Sequence, residues 1–257
     1  MSEIHPTAII HETARIGKDV SIGPFSIIQE NAVIEDGCAI HANVLIGKNT
    51  TLHKNCQVFH GAVVGEIPQD LKYHNEESYT EIGEGTTIRE FVTIHRGTED
   101  RITTVVGRHC LVMAYAHIAH DCRIGNKVIL ANAVNLAGHV TIEDYASLGG
   151  LVPVHQFVNI GAYAYIGGGF RVSKDVPPYI LASSQPLSFG GLNVVGLRRH
   201  GFSSETRQQI KRAYKLIFRS QFNTSQAIEK IQSEFEPSEE IKHIIEFIEK
   251  SDRGIIG

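Results

Sequence analysis

An aliphatic residue occupies nearly every sixth position of this chain from Ile4 to Val172. Of the 29 positions counted in this way, 26 are Ile, Leu or Val, and the three exceptions are Asp70, Glu76 and Asp100. The position four residues after each aliphatic one is also restricted, mostly to Ala, Cys, Val, Thr or Ser. Neither an α-helix nor an alternating strand has this period, which is typical of a hexapeptide-repeat parallel β-helix.

The repeat has a direct physical interpretation as an all-β solenoid. Each hexad forms a short strand and a bend, and three hexads close a triangular coil of about 18 residues. The aliphatic residue points into the prism, and the small residue fills the remaining space without overpacking. Stacked coils pair their backbones at a spacing of roughly 4.8 Å. Recurrent glycines such as Gly107 and Gly125 are expected at bends that need unusual backbone angles.

Cysteine placement and charge limit the class of protein. The four cysteines fall on the small interior position of the repeat, so we expect free, buried thiols instead of a metal or disulfide framework. The repeat starts by Ile4, so we expect no signal peptide, and no apolar run approaches the roughly 18 residues of a membrane span. We therefore predict a soluble, cytoplasmic protein. A net charge of -4 argues against a nucleic-acid partner.

Two segments interrupt the repeat. The first, residues 66–81, carries Asp70 and Lys72 on a loop that leaves the prism, and the phase resumes at Ile82. A long excursion of this kind is either functional or a solvated flap or oligomer contact. The second, residues 96–104, is shorter and polar, and we interpret it as a surface loop.

The C-terminal part of the chain has a different pattern. Two prolines at 177 and 178 stop further strand addition, which divides the chain into a β-helix domain, residues 1–180, and a helical domain, residues 181–257. Apolar stripes and cap-type residues predict helices over about 203–220, 224–235 and 237–251. Basic residues crowd the first of these helices and its approach, which favours an anionic partner or a solvated face. They are Arg198, Arg199, Arg207, Lys211, Arg212, Lys215 and Arg219.

Histidines cluster in the middle of the solenoid. His120, His139 and His155 are spaced 19 and 16 residues apart, close to the length of one coil, so we expect them near one edge on successive coils. With Asp121, such a row can supply a general base and substrate-orienting groups, since imidazole titrates near neutral pH. A zinc site like that of the γ-class carbonic anhydrases is the alternative. The ligand spacing of that class is not evident here, and we predict no metal.

The motifs that interrupt the repeat carry a more specific resemblance. The strings IPQDLKY, TIHRGT, AHIAHDC, LAGHV, VHQF, DVPPY and AYKLIFRS resemble those of the UDP-N-acetylglucosamine O-acyltransferase family, and the similarity runs from end to end. This resemblance implies a left-handed parallel β-helix with a C-terminal α-helical domain, assembled as a homotrimer with active sites between neighbouring prisms. It implies transfer of a β-hydroxyacyl chain from acyl carrier protein to the 3-position of UDP-N-acetylglucosamine, the first step of lipid A biosynthesis. No cofactor is implied beyond the phosphopantetheine that carries the acyl group.

The resemblance also assigns roles by matching position. His120 matches the general base, Asp121 the group that orients it, and the backbone N–H of Gly138 the donor to the tetrahedral oxyanion. Gly168 matches the position that measures acyl length, where a glycine favours a long chain. The positions that match contacts to the sugar, the acyl pantetheine or the nucleotide are Asp70, Lys72, His95, His117, His139, His155, Gln156, Asn193 and Arg199.

Two positions depart from the family pattern, and three alternatives stay open. Val195 stands where some members carry a glutamate near the nucleotide, and His200 replaces an arginine. Some relatives acylate a 3-amino sugar, so the product is either an ester or an amide. A zinc lyase or hydrolase and a non-catalytic assembly scaffold are the alternatives from other classes.

Acidic acyl carrier protein is expected to dock on the basic helix, or on basic side chains of the prism such as Arg108 and Arg123.

Overall fold

The computed structural model describes residues 2–257 as a prism of three parallel sheets followed by helices. The prediction of a left-handed parallel β-helix with C-terminal helices is confirmed. The strands, in chain order, are β1 (Glu3–Ile4), β2 (Ile9–Ile10), β3 (Arg15–Ile16), β4 (Ser21–Ile22), β5 (Ile27–Ile28), β6 (Val33–Ile34), β7 (Ala39–Ile40), β8 (Leu45–Ile46), β9 (Thr50–Leu52), β10 (Gln57–Val58), β11 (Val63–Glu66), β12 (Tyr79–Ile82), β13 (Thr87–Ile88), β14 (Thr93–His95), β15 (Thr103–Val106), β16 (Leu111–Val112), β17 (His117–Ile118), β18 (Arg123–Ile124), β19 (Ile129–Leu130), β20 (Asn135–Leu136), β21 (Thr141–Ile142), β22 (Ser147–Leu148), β23 (Pro153–Val154), β24 (Asn159–Ile160), β25 (Tyr165–Ile166), β26 (Ile180–Ser183) and β27 (Ser188–Leu192).

Every third strand joins the same sheet. The first sheet runs from β1 to β25 and then adds β26 and β27, the second from β2 to β23, and the third from β3 to β24. The pairing is parallel and in register with the repeat, so Leu111 pairs with Ile129, and Ile129 pairs with Ser147. The aliphatic positions from Ile22 onward are buried inside the prism. The prediction of free, buried cysteines is confirmed, since all four are buried and unpaired.

Each coil has three bends, which we name corners by the sheets that they join. Corner 1 joins the first sheet to the second, corner 2 the second to the third, and corner 3 the third to the first. From Asp19 onward, the corners carry a residue with a left-handed backbone, as at Tyr115, Asp121 and Lys127, with φ of 63°, 61° and 54°. Gly107 was predicted to supply an unusual backbone angle, but the structure requires a glycine there for a different reason. A Cβ at this position would lie 2.4 Å from the carbonyl oxygen of Gly125 in the next coil.

Both interruptions of the repeat leave the prism at corner 2. The first spans residues 67–78 between β11 and β12, and the buried Ile82 resumes the phase as predicted. The second spans residues 96–102 between β14 and β15. Its interpretation as a plain surface loop is wrong, because Arg96 and Thr98 are buried and the segment packs on the next coil at Asp121.

The C-terminal segment begins as an extension of the solenoid. Strand β26 pairs in parallel with β25, and β27 returns antiparallel to β26, so the first sheet continues past residue 180. Four helices follow: α1 (Val194–Arg199), α2 (Ser204–Arg219), α3 (Thr224–Glu234) and α4 (Glu239–Glu249). Three of them correspond to predicted helices, whereas α1 lies in a Gly-rich passage that gave no helical signal.

Fully buried Tyr214 joins α2 to the solenoid, since its hydroxyl donates to the carbonyl of Pro178 at 2.7 Å. Among residues 2–257, no helix is long and apolar enough to cross a membrane.

Candidate active site

A hydrogen-bonded imidazole and carboxylate lie at corner 2, in the turn between β17 and β18. His120 Nδ1 is 2.8 Å from Asp121 Oδ2. The carboxylate is fully buried, and the imidazole side chain is 14% exposed. Because an ionised carboxylate only accepts hydrogen bonds, Nδ1 carries the proton and the lone pair of Nε2 points away from Asp121. This tautomer leaves Nε2 available to take a proton from a bound molecule.

The second insertion holds Asp121 in place. The Thr98 N–H donates to Oδ1 of Asp121 at 2.9 Å, and the Thr98 hydroxyl donates to Oδ2 at 2.6 Å. The Asp121 N–H donates to the hydroxyl of Thr104, and Arg101 donates to the carbonyl of Asp121. Sequence reasoning missed these residues. The six-residue period could have located them. Three strands separate the first break from the second and the second from the HIAHD motif, so all three fall at the same corner on successive coils.

The hydrogen bonds set the charges of the pair. Burial alone would raise the pKa of Asp121, but hydrogen bonds from His120 and Thr98 outweigh it and lower that pKa to about 2. The hydrogen bond to Asp121 raises the pKa of His120 above its usual value, against the opposing effect of burial. Asp121 is therefore ionised at neutral pH, and the imidazole beside it is made more basic.

Two further acidic groups and a second imidazole surround this pair. Asp70, from the first insertion, places Oδ2 3.7 Å from Nε2 of His120. The ring of His139 stands perpendicular to the His120 ring at 5.2 Å, with its Nε2 3.6 Å from Asp100 and 3.7 Å from Asp121. Burial lowers the pKa of His139, so this ring is neutral at pH 7. Through Asp70, the first insertion contributes to the site around His120 of the same chain.

Gly138 lies directly against the His120 ring, one coil further on. A Cβ at this position would come within 2.7 Å of both Cε1 and Nε2 of His120, so only glycine lets the imidazole rest on the backbone. Within residues 2–257, no hydrogen-bond acceptor receives the N–H of Gly138. A free backbone donor beside Nε2 of His120 fits the role of oxyanion donor that the family resemblance assigns to the Gly138 N–H.

His95 and His117 form a second imidazole pair on the second sheet. Their rings meet edge to face at 5.2 Å, and His117 Nδ1 is 2.7 Å from the hydroxyl of Thr93. Burial lowers the pKa of His95 to about 4, and burial also lowers that of His117. Both rings are therefore neutral at pH 7, and the two nitrogens of each ring offer one hydrogen-bond donor and one acceptor.

The predicted row of three imidazoles contains only two in contact. Phe157 follows His139 in the stack, with the rings parallel at 4.5 Å, and it occupies the place expected for His155. His155 instead contacts Arg253 near the C-terminus, at 3.1 Å from Nδ1 to the guanidinium. The carbonyl of Gln156 accepts from the same guanidinium at 2.9 Å. The spacing of 16 residues, two short of a full coil, is the reason for this displacement.

The remaining predicted residues lie elsewhere in the chain. Lys72 is exposed, and its N–H donates to the side chain of Asp70. Gly168 is exposed at corner 1. Asn193 and exposed Arg199 lie beyond corner 3, where the Asn193 amide donates to the Tyr163 carbonyl at 2.9 Å. One chain therefore does not bring the predicted acyl-length and nucleotide residues to His120.

Three potential metal ligands meet at corner 2: His120, Asp121 and His139, with one ligand atom of each within 4.8 Å of the others. The separation of 2.8 Å between His120 Nδ1 and Asp121 Oδ2 is that of a hydrogen bond. Two ligands of a tetrahedral zinc with bonds of about 2.0–2.1 Å lie roughly 3.3 Å apart. The cluster is a hydrogen-bonded pair with a neighbouring neutral imidazole.

Comparison with known proteins identifies relatives over the full length. The family model described as UDP N-acetylglucosamine O-acyltransferase, domain 2, matches residues 175–256, and the bacterial transferase hexapeptide model matches 13–48 and 103–138. The acyl-[acyl-carrier-protein]–UDP-N-acetylglucosamine O-acyltransferase of Thiobacillus denitrificans is 49% identical over 257 residues, all of both chains. The crystal structure of the UDP-N-acetylglucosamine acyltransferase LpxA from Bacteroides fragilis is 44% identical and has a TM-score of 0.96, covering 98% of this chain and 99% of that one. The Arabidopsis UDP-N-acetylglucosamine acyltransferase is 34% identical with a TM-score of 0.88, covering 99% and 100%.

Proposed function

The chain belongs to the acyl-[acyl-carrier-protein]–UDP-N-acetylglucosamine O-acyltransferase family, and from this membership we propose how it performs the reaction. It transfers a β-hydroxyacyl chain from acyl carrier protein to the 3-position of UDP-N-acetylglucosamine, the first step of lipid A biosynthesis. The acyl group arrives on the phosphopantetheine of acyl carrier protein. The reaction runs in the cytoplasm, a reducing compartment that suits four free cysteines.

The observation that carries the mechanism is the hydrogen bond between His120 and Asp121. With Nδ1–H held by the carboxylate, Nε2 accepts the proton of the sugar 3-hydroxyl as the oxygen attacks the thioester carbon. Asp121 stabilises the imidazolium that forms, because a buried anion 2.8 Å away favours the charged ring. Asp70, 3.7 Å from Nε2, accepts from a neighbouring sugar hydroxyl and orients the nucleophile.

The second half of the reaction uses the backbone of Gly138 and the proton now on His120. Attack on the thioester carbon moves an electron pair to the carbonyl oxygen, and the free N–H of Gly138 donates to that oxyanion. When the carbonyl re-forms, the carbon–sulfur bond breaks, and Nε2 returns its proton to the departing thiolate. Oxygen is acylated, the thiol leaves on acyl carrier protein, and the base is restored.

Neutral imidazoles suit the contacts that the substrates need. His95, His117 and His139 are uncharged at pH 7, so each offers a substrate group a neutral donor or acceptor nitrogen. His117 does so with Nε2 alone, because its Nδ1 is hydrogen-bonded to the hydroxyl of Thr93. His155 and Gln156, in the VHQF turn at corner 2 of the next coil, are the further substrate contacts that the family pattern assigns. Uncharged donors bind sugar and pantetheine amide groups without the desolvation cost of a buried cation.

A homotrimer with sites between subunits is supported by the distribution of residues over the corners. His120 lies at corner 2, Gly168 at corner 1, and Arg199 beyond corner 3. In a three-fold assembly of prisms, corner 2 of one subunit can meet other corners of its neighbours and complete the site. Phe91 and Leu151 at corner 1 are 44% and 70% exposed, as expected for surfaces that a neighbouring subunit covers. Gly168 would then set the length of the acyl groove.

A groove between β27 and α2 suits the docking of acyl carrier protein. It has a volume of about 550 Å³, and its lining from β27 includes Phe189 and Leu192. From α2 it is lined by Lys211, Lys215 and Arg219 at a spacing of one helical turn. Acyl carrier protein is strongly acidic, so a row of cations beside an apolar pocket is complementary to one of its acidic helices.

The test is release of thiol from β-hydroxyacyl-acyl carrier protein in the presence of UDP-N-acetylglucosamine or its 3-amino analogue. The proposal requires release that depends on UDP-N-acetylglucosamine and runs faster than with the amino sugar. Faster release with the amino sugar would establish amide formation. Release independent of any sugar would contradict transfer. Chelation of metals should leave the rate unchanged, whereas loss of activity restored by zinc would favour the metal alternative at His120, Asp121 and His139.

A further inference from the structure

The C-terminal tail folds back onto the end of the solenoid at corner 2. Fully buried Asp175 holds it, since its carboxylate accepts from the Ser251 hydroxyl at 2.7 Å. The Asp175 N–H donates to the carbonyl of Gly254, and the Ile256 N–H donates to the carbonyl of Asp175. These bonds fix the tail on both sides of Arg253. The side chain between them therefore has a defined direction.

Arg253 reaches from the tail to the VHQF turn. One guanidinium nitrogen donates to the carbonyl of Gln156 at 2.9 Å. The other lies 3.1 Å from Nδ1 of His155 and 3.4 Å from the carbonyl of Ser173. The guanidinium thus joins a residue 98 positions away in sequence to the tail.

These contacts determine which nitrogen of His155 carries the proton. A guanidinium has only donors, so Nδ1 of His155 must accept from Arg253. The carbonyl of Gln156 lies 3.3 Å from the same Nδ1 and could accept from a proton there, but that proton would set donor against donor at the guanidinium nitrogen 3.1 Å away. A neutral ring with a bare Nδ1 carries its proton on Nε2. Without Arg253, the other tautomer would gain the Gln156 carbonyl as its acceptor.

We propose that Arg253 is a positioning residue that holds His155 as an Nε2–H donor toward an oxygen acceptor of the bound substrates. The proposal rests on the function given above, in which His155 contacts a substrate. That oxygen belongs either to the UDP-sugar or to the pantetheine arm of acyl carrier protein. Because the guanidinium stays charged and has only donors, it selects the same tautomer whenever the His155 ring is neutral.

A double-mutant cycle tests the proposal through the Michaelis constants. Arg253→Ala should raise KM for one substrate about tenfold and leave kcat within about twofold, because Arg253 acts on that substrate only through the orientation and tautomer of His155. The substrate whose KM rises identifies the source of the oxygen. In the His155→Ala background, Arg253→Ala should add less than about twofold, since its partner is already missing. Arg253→Lys, which keeps a cationic donor but loses the planar fork that spans His155 and the Gln156 carbonyl, should recover part of the loss.

A purely structural role predicts a different result. If Arg253 served only to anchor the tail, Arg253→Ala would lower activity by the same factor in both backgrounds, which would overturn the proposal. Unchanged KM values in Arg253→Ala would also overturn it. Lys250→Ala, which removes an exposed cation three residues earlier, should match the wild type.

A second readout does not depend on activity. In ¹⁵N spectra of imidazole-labelled protein, His155 should show the Nε2–H pattern in the wild type and shift toward the Nδ1–H pattern in Arg253→Ala. An Nδ1–H ring in the wild type would overturn the proposal. If the wild type released no thiol with UDP-N-acetylglucosamine, the proposed function would fail, and the spectra would still decide which tautomer Arg253 selects.

Discussion

Oδ2 of Asp121 receives two hydrogen bonds at once, from Nδ1 of His120 at 2.8 Å and from the hydroxyl of Thr98 at 2.6 Å. The first bond fixes the tautomer of the base, and the second fixes the rotamer of the carboxylate. Thr98 belongs to the second insertion, so that loop acts as a brace for the base instead of a surface feature. The site is built by a break in the repeat that meets a polar turn of the next coil.

Asp121→Asn should abolish most activity without unfolding the chain. An amide can donate to Nδ1, which would leave Nε2 protonated and unable to act as a base. A tautomer change of this kind costs serine proteases roughly 10⁴-fold, and we expect a fall in kcat of about 10²–10⁴-fold here. Steady-state thiol release measures it. Glu99→Gln, an exposed acid of the same loop, is the matched control and should keep full activity.

The pH profile of kcat/KM should show the link between the two residues. His120 acts when it is deprotonated, so activity rises with pH through its pKa, which the hydrogen bond to Asp121 raises above the usual value. Removal of the anion in Asp121→Asn should lower that pKa and move the acid limb of the residual activity to lower pH. An acid limb at the same pH in both proteins would show that His120 and Asp121 are not coupled.

Gly138→Ala should damage catalysis more than stability. The new Cβ would lie 2.7 Å from Nε2 of His120, so the ring must move away from the reacting centre. A displacement near 1 Å costs about 10²-fold in rate. We expect a loss of that order in kcat, with a melting temperature close to that of the wild type. A variant with normal kcat would contradict the placement of the base on this backbone.

Mixed trimers test whether one site draws on two subunits. His120→Ala and Arg199→Glu should each be impaired alone at sub-saturating UDP-sugar. When equal amounts are co-expressed, about a quarter of the clefts should receive an intact His120 from one subunit and an intact Arg199 from the next. Activity should then recover to about one quarter of wild type. If every site lay within one chain, the mixture would be no more active than its parts.

Most of the fold could be predicted because the six-residue period recurs in every coil of the solenoid. An aliphatic residue at the sixth position fixes the strand phase, and the insertions preserve it, so that Ile82 and Val106 pair as the period requires. The strand β27 and the helix α1 could not be predicted. They follow Gly-rich sequence with no repeat, and their form depends on packing against β26 and on the Asn193 cap.

The site was predictable only where a single motif contained it. His120 and Asp121 are adjacent in sequence, and their pairing is therefore local. Thr98 and Arg253 are distant in sequence from their partners Asp121 and His155, and they meet those partners because of the register of the coils and the path of the tail. The third imidazole of the row was misplaced for a related reason, since a spacing two residues short of a coil puts Phe157 on His139 instead of His155.

The rate of thiol release by His120→Gln at saturating acyl-acyl carrier protein and UDP-N-acetylglucosamine tests the account most directly. Glutamine keeps a polar side chain on Gly138 but has no lone pair that can accept a proton near neutral pH. The account predicts a kcat at least 10²-fold below wild type, with KM values within a few-fold and an unchanged melting temperature. A kcat equal to that of the wild type would contradict it.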